Sequence, residues 1–239
     1  MIEPCKRQKV FLLFLFLFFL AAASAYGQRA TVGIDVGETK DKFGGLASDT
    51  SALGGVSGDF VVLRGNQKEG NPSLVAGGEL RFPVDTGKHA TEFAAFAGPM
   101  FHFGNHFSAG FHVQVRKILL PSSTVDSQVF NRYNMMLLEL PAVLEYKFSN
   151  APKHAFIQAQ ISPEFTPRYK APKSGTAYPH PTLEHGYDIR GTAGYVFGKW
   201  YARVTYDTRY FRFSPTLGNP NGLANWRSDA IGGGVGLVF

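Results

Sequence analysis

Residues 230–239 read Ala-Ile-Gly-Gly-Gly-Val-Gly-Leu-Val-Phe. From Ile231 to Phe239 every second position is apolar or glycine, and the positions between them are mostly glycine. Because successive side chains of a strand point to opposite faces, this segment has one apolar face and one face free of bulky groups. Repeated around a closed sheet, such a strand is typical of a transmembrane β-barrel.

Turn residues divide the chain after residue 28 into segments of similar length with the same alternation. They predict about ten strands, at 29–37, 58–65, 73–84, 91–103, 107–119, 135–148, 154–169, 187–197, 200–213 and 229–239. The predicted fold is all-β, a transmembrane antiparallel up-and-down barrel that occupies residues 26–239. Eight strands is the alternative, if residues 29–65 do not supply two.

The lengths of the connections support this topology. Counted back from the last strand, long connections at 214–228, 170–186 and 120–134 alternate with short ones at 198–199, 149–153 and 104–106. Outer-membrane barrels show this asymmetry, with long extracellular loops and tight periplasmic turns. The alternation is less regular before residue 90.

The alternation of side chains is clearest in three central strands. Their outward positions are apolar: Phe107, Ala109, Phe111, Val113 and Val115; Met136, Leu138, Leu140, Ala142, Leu144, Tyr146 and Phe148; Ile157, Ala159, Ile161 and Phe165. A soluble β-sandwich with one solvated face shows a similar alternation of apolar and polar residues. Glutamate, arginine and glutamine within long strands, with aromatic residues near the strand ends, favour the barrel.

The N-terminal segment has the features of a secretory signal. Basic residues at 6–9 precede an apolar run at 10–20, and Ala23-Ser24-Ala25 fits a cleavage site. We therefore assign residues 1–25 to a signal peptide. The single cysteine, Cys5, lies within it, so the mature chain is predicted to have no disulfide.

The charge composition argues against a nucleic-acid partner. The net charge is +6, and three of the basic residues belong to the signal. The others are scattered, whereas a nucleic-acid binder concentrates basic residues on one element.

Three motifs resemble those of the small porin-like outer-membrane β-barrel proteins of bacteria. The first is Glu139-Leu-Pro-Ala-Val-Leu-Glu-Tyr-Lys-Phe148, in which a proline-containing apolar strand ends in a basic-aromatic pair. The second is Phe96-Ala-Gly-Pro-Met-Phe101, and the third is the C-terminal Gly234-Val-Gly-Leu-Val-Phe239. The resemblance implies a barrel in the bacterial outer membrane, and it implies little about activity.

The resemblance also implies an assembly signal, because the C-terminal strand looks like the signal that the barrel-assembly machinery reads. Its residues would be Val235, Leu237 and Phe239. The expected partners are therefore outer-membrane lipid and, during insertion, this machinery.

Alternation places eight acidic and seven basic residues inside the barrel. They are Asp35, Glu79, Glu92, Glu139, Glu145, Glu164, Asp188 and Asp207, with Arg81, Arg116, Lys147, Arg168, Arg190, Arg203 and Arg209. A wide pore selective for one sign of charge favours a ring of like charges, whereas a narrow barrel has to pair its buried charges. We therefore predict a lumen charge network, centred on Glu139, Glu145, Lys147, Glu164, Arg168, Asp188, Arg190, Arg203, Asp207 and Arg209, that largely plugs the interior.

The dipeptide Gly198-Lys199 fixes a predicted register. As a two-residue hairpin turn with glycine first, it makes Phe197 and Trp200 the closing pair. Counting outward from this turn sets Arg190 opposite Asp207, Asp188 opposite Arg209, Thr192 opposite Thr205 and Tyr187 opposite Tyr210.

Three functions fit these features. The preferred hypothesis is a structural or surface-interaction role, with no enzymatic activity and no cofactor, in which an unknown ligand contacts the predicted loops at 38–57, 120–134, 170–186 and 214–228. A narrow pore for small solutes is the alternative. A lipid-modifying hydrolase is the third, because His106 and Ser108 have the His-x-Ser spacing of outer-membrane lipid A deacylases, but no third orienting group is evident.

Overall fold

The structure is a computed structural model that describes residues 29–43, 49–66, 70–84, 91–120, 123–125, 128–130, 133–170, 183–213 and 225–239. The predicted signal at residues 1–25 lies outside these ranges. Within them, no helix has the length and apolar character needed to cross a membrane.

The described residues form strands joined by turns. The strands are β1 (Ala30–Phe43), β2 (Asp49–Leu63), β3 (Ser73–Pro83), β4 (Thr91–Phe103), β5 (Phe107–Phe111), β6 (Val113–Leu120), β7 (Ser123–Val125), β8 (Gln128–Phe130), β9 (Tyr133–Glu139), β10 (Ala142–Lys147), β11 (Lys153–Lys170), β12 (Leu183–Phe197), β13 (Trp200–Phe213) and β14 (Asn225–Val238).

The sheet closes on itself. Neighbouring strands of the ring pair antiparallel, and β1 pairs with β14 from Thr31 opposite Val238 to Phe43 opposite Trp226. β5 and β6 are two parts of one strand interrupted at His112, and β9 and β10 are two parts of another interrupted before Ala142. The result is a closed ten-stranded antiparallel barrel, which confirms the predicted fold class and excludes the eight-stranded alternative.

Three adjacent strands are irregular at the same level of the barrel. Pro141 has no amide hydrogen and so cannot donate to the ladder, and its carbonyl accepts a hydrogen bond from the His112 amide at 2.9 Å. On the other side, the register between β9 and β11 shifts between Glu164 and Thr166. The sequence predicts that inward and outward side chains alternate along β11 as far as Arg168. This alternation is interrupted before Arg168.

One predicted loop is wrong. Residues 38–57 were expected to connect two strands, but β1 continues to Phe43 and β2 begins at Asp49. Their polar and glycine-rich sequence resembles a loop because neither face of these strand ends is strongly apolar. A short hairpin, β7–β8, also lies within the predicted loop at 120–134.

The predicted register of the β12–β13 hairpin is confirmed. Arg190 lies opposite Asp207, Asp188 opposite Arg209, and Tyr187 opposite Tyr210. Gly198 has a φ of 86°, which the first position of a type II′ turn requires and a glycine adopts without strain.

The two faces of the barrel differ as the alternation predicts. Val36, Leu144, Ile157 and Val235 are among the many large apolar side chains on the outside, and Val36 is 64% exposed. The inward-pointing side chains include many charged and polar ones, and most of these are buried. An outer face of this kind suits a lipid environment, because a soluble protein rarely exposes a large continuous apolar surface.

The barrel has two distinct ends. We call the end that carries the connections at 64–72, 104–106, 148–152 and 198–199 the turn end, where β1 begins and β14 ends. The opposite end, toward residues 44–48, 84–90, 121–132, 171–182 and 214–224, is the loop end. The structure of most of these loop-end connections lies outside the described residues.

A pair of neighbouring substitutions tests the assignment of faces. Ala159→Arg places a charge on the exposed outer face near the middle of β11, and should lower the free energy of unfolding by about 2–4 kcal/mol. Gln158→Arg, one residue away, points into the lumen and should cost much less. Denaturant titration of protein refolded into lipid vesicles measures both, and equal costs would contradict the assignment.

Candidate functional site

Arg116 lies at the centre of a cluster of buried charges near the loop end. Its Nε donates to Glu139 Oε1 at 2.7 Å, its Nη1 to Glu92 Oε2 at 3.1 Å, and its Nη2 to Asp188 Oδ2 at 2.9 Å. The residue is 1% exposed. One arginine thus binds carboxylates from three other strands, with Gln114 as an additional donor to Glu139.

A second arginine completes this cluster from the other side of the ring. Arg209 on β13 donates to Glu92 on β4 and, at 3.2 Å, to Asp188 on β12. β4 and β13 lie on opposite sides of the barrel. We call Glu92, Arg116, Glu139, Asp188 and Arg209 the loop-end plug, because their contacts cross the lumen.

Bulky apolar side chains add to the closure at this end. Phe211 and Trp226 stack with ring centroids 5.1 Å apart, and both are fully buried. Ile118 and Leu137 are also buried. The loop-end half of the lumen is therefore filled by large side chains.

Four further charged residues form a square on the turn-end side of the loop-end plug. Arg190 donates to Glu79 at 2.8 Å and to Asp207 at 3.2 Å, and Arg81 contacts the same two carboxylates. We call Glu79, Arg81, Arg190 and Asp207 the middle square. β3 and β12 lie on opposite sides of the ring, so these contacts also cross the lumen.

Closer to the turn end, a smaller ion pair lies over glycines. Arg203 Nη2 is 2.6 Å from Asp35 Oδ2 and also donates to the Ser57 hydroxyl. A Cβ at Gly234 would overlap the Asp35 carboxylate, and one at Gly33 would overlap the Tyr201 hydroxyl. The inner glycines of β1 and β14 therefore provide the room that these side chains occupy.

The turn-end half of the lumen contains a cavity of about 270 Å³. Its walls combine apolar groups such as Val143 and Phe156 with charged groups such as Asp35, Arg203 and Glu145. Glu145 and Lys147 form an ion pair of 3.2 Å beside it. Asp59 accepts a hydrogen bond from Thr31 at the same level.

The serine that suggested a hydrolase has a different histidine partner. His106 Nδ1 donates to the Lys147 carbonyl at 2.7 Å in the turn. Ser108 lies 2.9 Å from His102 Nδ1, and His102 Nε2 lies 3.0 Å from Ser73. The sequence reasoning missed this chain of polar contacts, although alternation places all three of its residues on the inner face.

The structure brings together most of the residues of the predicted charge network. Glu139, Asp188 and Arg209 lie in the loop-end plug, and Arg190 and Asp207 in the middle square. Arg203 pairs with Asp35, and Glu145 with Lys147.

Among the described side chains of the predicted network, Glu164 stands apart from these ion pairs. Glu164 is buried, and neither of its oxygens has a hydrogen-bond partner within the described part of the chain. The side chain of Arg168 lies outside that part.

The three residues of the predicted assembly signal lie on the outer face of β14. Val235 and Phe239 are exposed, and Leu237 is half-buried. The Phe239 amide donates to the Ala30 carbonyl at 2.9 Å, so this residue also takes part in closing the ring.

Fold and site together define a closed antiparallel β-barrel with a charge-paired interior. The chain is similar to the solved structure of the translocator domain of autotransporter NalP from Neisseria meningitidis, at 13% sequence identity and a TM-score of 0.44, over 98% of each chain. It is also similar to Ail, the attachment invasion locus protein of Yersinia pestis, at 9% identity and a TM-score of 0.23, over 89% of this chain and 99% of that one.

No model of a protein family matches the chain, and no curated protein matches it. In the described residues, no group of three or more histidine, cysteine or acidic side chains is arranged to hold a metal ion.

The middle square predicts energetic coupling between its members. Asp207→Ala leaves Arg81 and Arg190 with only Glu79 in the square, and should destabilise the barrel by about 3–5 kcal/mol. The double substitution Arg190→Ala with Asp207→Ala should cost about 1–3 kcal/mol less than the sum of the two single changes. Denaturant unfolding of the four proteins in detergent or lipid measures this coupling.

The control for this cycle is Asp207→Ala combined with Arg227→Ala. Arg227 lies on the outer face and contacts Asp229 instead of the square. Its effect should add to that of Asp207→Ala. Additivity of Arg190 and Asp207 as well would show that the square does not act as a unit.

Proposed function

We propose that this protein is a bacterial outer-membrane β-barrel with a closed lumen, which acts in a structural or surface-interaction role and has no catalytic activity. The observation that carries this proposal is the loop-end plug. Arg116 and Arg209 are each 1% exposed, and together they bind Glu92, Glu139 and Asp188.

The position of these contacts explains why they close the barrel. A ring of charges that lines a pore leaves the axis free, whereas Arg209 reaches Glu92 from the opposite wall. The middle square repeats this arrangement one level lower, where Arg190 reaches Glu79. Two successive layers of ion pairs therefore cross the lumen and narrow it.

The outer face supports placement in a membrane. Exposed apolar side chains extend around the ring, and aromatic residues such as Tyr195, Phe197 and Trp200 lie near the turn end. Outer-membrane barrels have an apolar band flanked by aromatic girdles. With the predicted signal peptide, this favours export and insertion, with outer-membrane lipid as the surrounding partner.

The orientation follows from the ends of the barrel. Short connections face the periplasm in outer-membrane barrels, and longer ones face the outside. The turn end is accordingly periplasmic and the loop end extracellular. In a barrel closed by the loop-end plug, a ligand outside the cell would meet the loops and the outer rim.

A narrow pore is the second candidate, and one observation favours it. The cavity of about 270 Å³ leaves the turn-end half of the lumen partly hollow. A small displacement of the plug would connect this space with the outside. The two functions therefore differ in whether the plug stays closed.

Conductance across planar bilayers decides between them. The refolded wild-type protein should show no discrete current steps, since Arg209 and Glu92 bridge the lumen. The variant Glu92→Gln with Arg209→Gln keeps the net charge but loses this ion pair and shortens the side chain at position 209, and should open channels. Heat-modifiable migration in gels checks that each variant is folded, and regular current steps from the wild-type protein would support the pore instead.

We further propose that the outer face of β14 is read by the barrel-assembly machinery. Phe239→Ala should lower the folded fraction in outer membranes, since Phe239 is exposed at the turn end of the strand that closes the ring. Phe197→Ala removes another exposed aromatic side chain near the same end and should have a smaller effect. Equal losses from the two substitutions would show a general need for apolar area.

A further inference from the structure

The outer face changes from apolar to charged at one level on three neighbouring strands. On β1 the apolar Val36 is followed toward the loop end by Glu38, Lys40 and Lys42. The register sets Glu38, Ile231 and Tyr206 side by side. The next outward row is Lys40, Asp229 and Thr208, and the row beyond it is Lys42, Arg227 and Tyr210.

This level coincides with the end of the apolar band. The outward positions of β14 from Phe239 to Ile231 are apolar or glycine, and a tilted strand of about 9–11 residues crosses a membrane. Asp229 and Arg227 therefore lie just beyond the hydrocarbon, at the level of lipid headgroups. We call Lys40, Lys42 and Arg227 the basic rim.

The region contains two outward carboxylates, Glu38 and Asp229, and Asp229 is already held by its own neighbours. Asp229 Oδ1 accepts hydrogen bonds from Thr208 at 2.6 Å, from Arg227 Nη2 at 3.1 Å and from Tyr206 at 3.3 Å. Its Oδ2 lies 2.8 Å from Arg227 Nε. Among the described residues, neither Lys40 nor Lys42 forms an ion pair.

Two like charges also lie directly opposite each other. Lys42 and Arg227 are cross-strand partners on the same exposed face. Like charges in this position destabilise a sheet. An anion bound between them would remove this repulsion, and the guanidinium of Arg227 together with two ammonium groups offers suitable donors.

We propose that the basic rim binds the phosphate groups of an anionic glycolipid in the outer leaflet, that is, of lipopolysaccharide. The inference rests on the proposed outer-membrane location and orientation. It fits a lipid better than a soluble anion, because the apolar surface of Val36, Ile231 and Val235 continues directly below the rim and would contact the acyl chains. Tyr206 lies at the upper edge of the apolar surface and Tyr210 beside Arg227, levels at which interfacial aromatic residues are expected.

The test titrates refolded, signal-free protein in detergent with bis-phosphorylated lipid A and counts bound lipid by native mass spectrometry. The wild-type protein should bind it, and dephosphorylated lipid A should bind far more weakly. The variant Lys40→Gln, Lys42→Gln and Arg227→Gln should bind roughly tenfold to a hundredfold more weakly than the wild type, since each basic group near an anionic surface contributes to affinity.

The matched control removes the same number of positive charges at the other end. Arg29, Lys153 and Lys199 are exposed near the turn end, and their simultaneous replacement by glutamine should leave lipid A binding unchanged. Equal losses from the two triple variants would show that only net charge matters, and equal binding of dephosphorylated lipid A would show that phosphate is not recognised. Either result overturns the inference, as does wild-type protein that binds no lipid A.

Two further measurements separate the possible failures. If inorganic phosphate alone displaces lipid A completely at millimolar concentration, the rim is an anion site without lipid specificity, and the proposal is wrong. Membrane fractionation and bilayer conductance test the proposed function independently of the basic rim. A closed barrel in the outer membrane whose rim triple variant binds lipid A normally would refute only the present inference.

Discussion

The pairing of charges inside a closed ring is the interaction on which the rest of this structure depends. A charged side chain inside a narrow barrel is surrounded by the wall and by other side chains, so an unpaired charge is costly. A shift of one residue between neighbouring strands would turn a whole row of charges toward the apolar outer face. The ion pairs and the apolar outer face therefore select the same register, as between Asp188 and Arg209.

Small residues make this pairing possible in so narrow a space. Inner glycines on β1, β3 and β14 lie under larger groups from neighbouring strands, and a Cβ at Gly77 would overlap the ring of Phe96. Pro141 acts differently, because it interrupts its strand next to Glu139. The irregular strands at His112, Pro141 and Glu164 adjoin the loop-end plug, where the lumen has to accommodate several buried carboxylates.

The sequence predicted the fold well because both of its signals are local. Alternation gave the inner and outer faces, and Gly198-Lys199 set the register of its hairpin. The prediction failed at residues 38–57, where the strands lack an apolar face and alternation carries no information. It also paired Ser108 with the nearby His106, although His102 lies on the same inner face.

The contacts across the lumen could not be predicted from the sequence, for a different reason. Alternation shows that Arg209 and Glu92 both point inward, but their meeting depends on the strand number and on every register around the ring. The same geometry explains the asymmetry of the interior. Large side chains such as Arg116, Phe211 and Trp226 fill the loop end, whereas glycine, serine, threonine and valine line much of the turn end. These large side chains lie between the cavity and the loop end, so the ion pairs that cross the lumen there decide how far the two communicate.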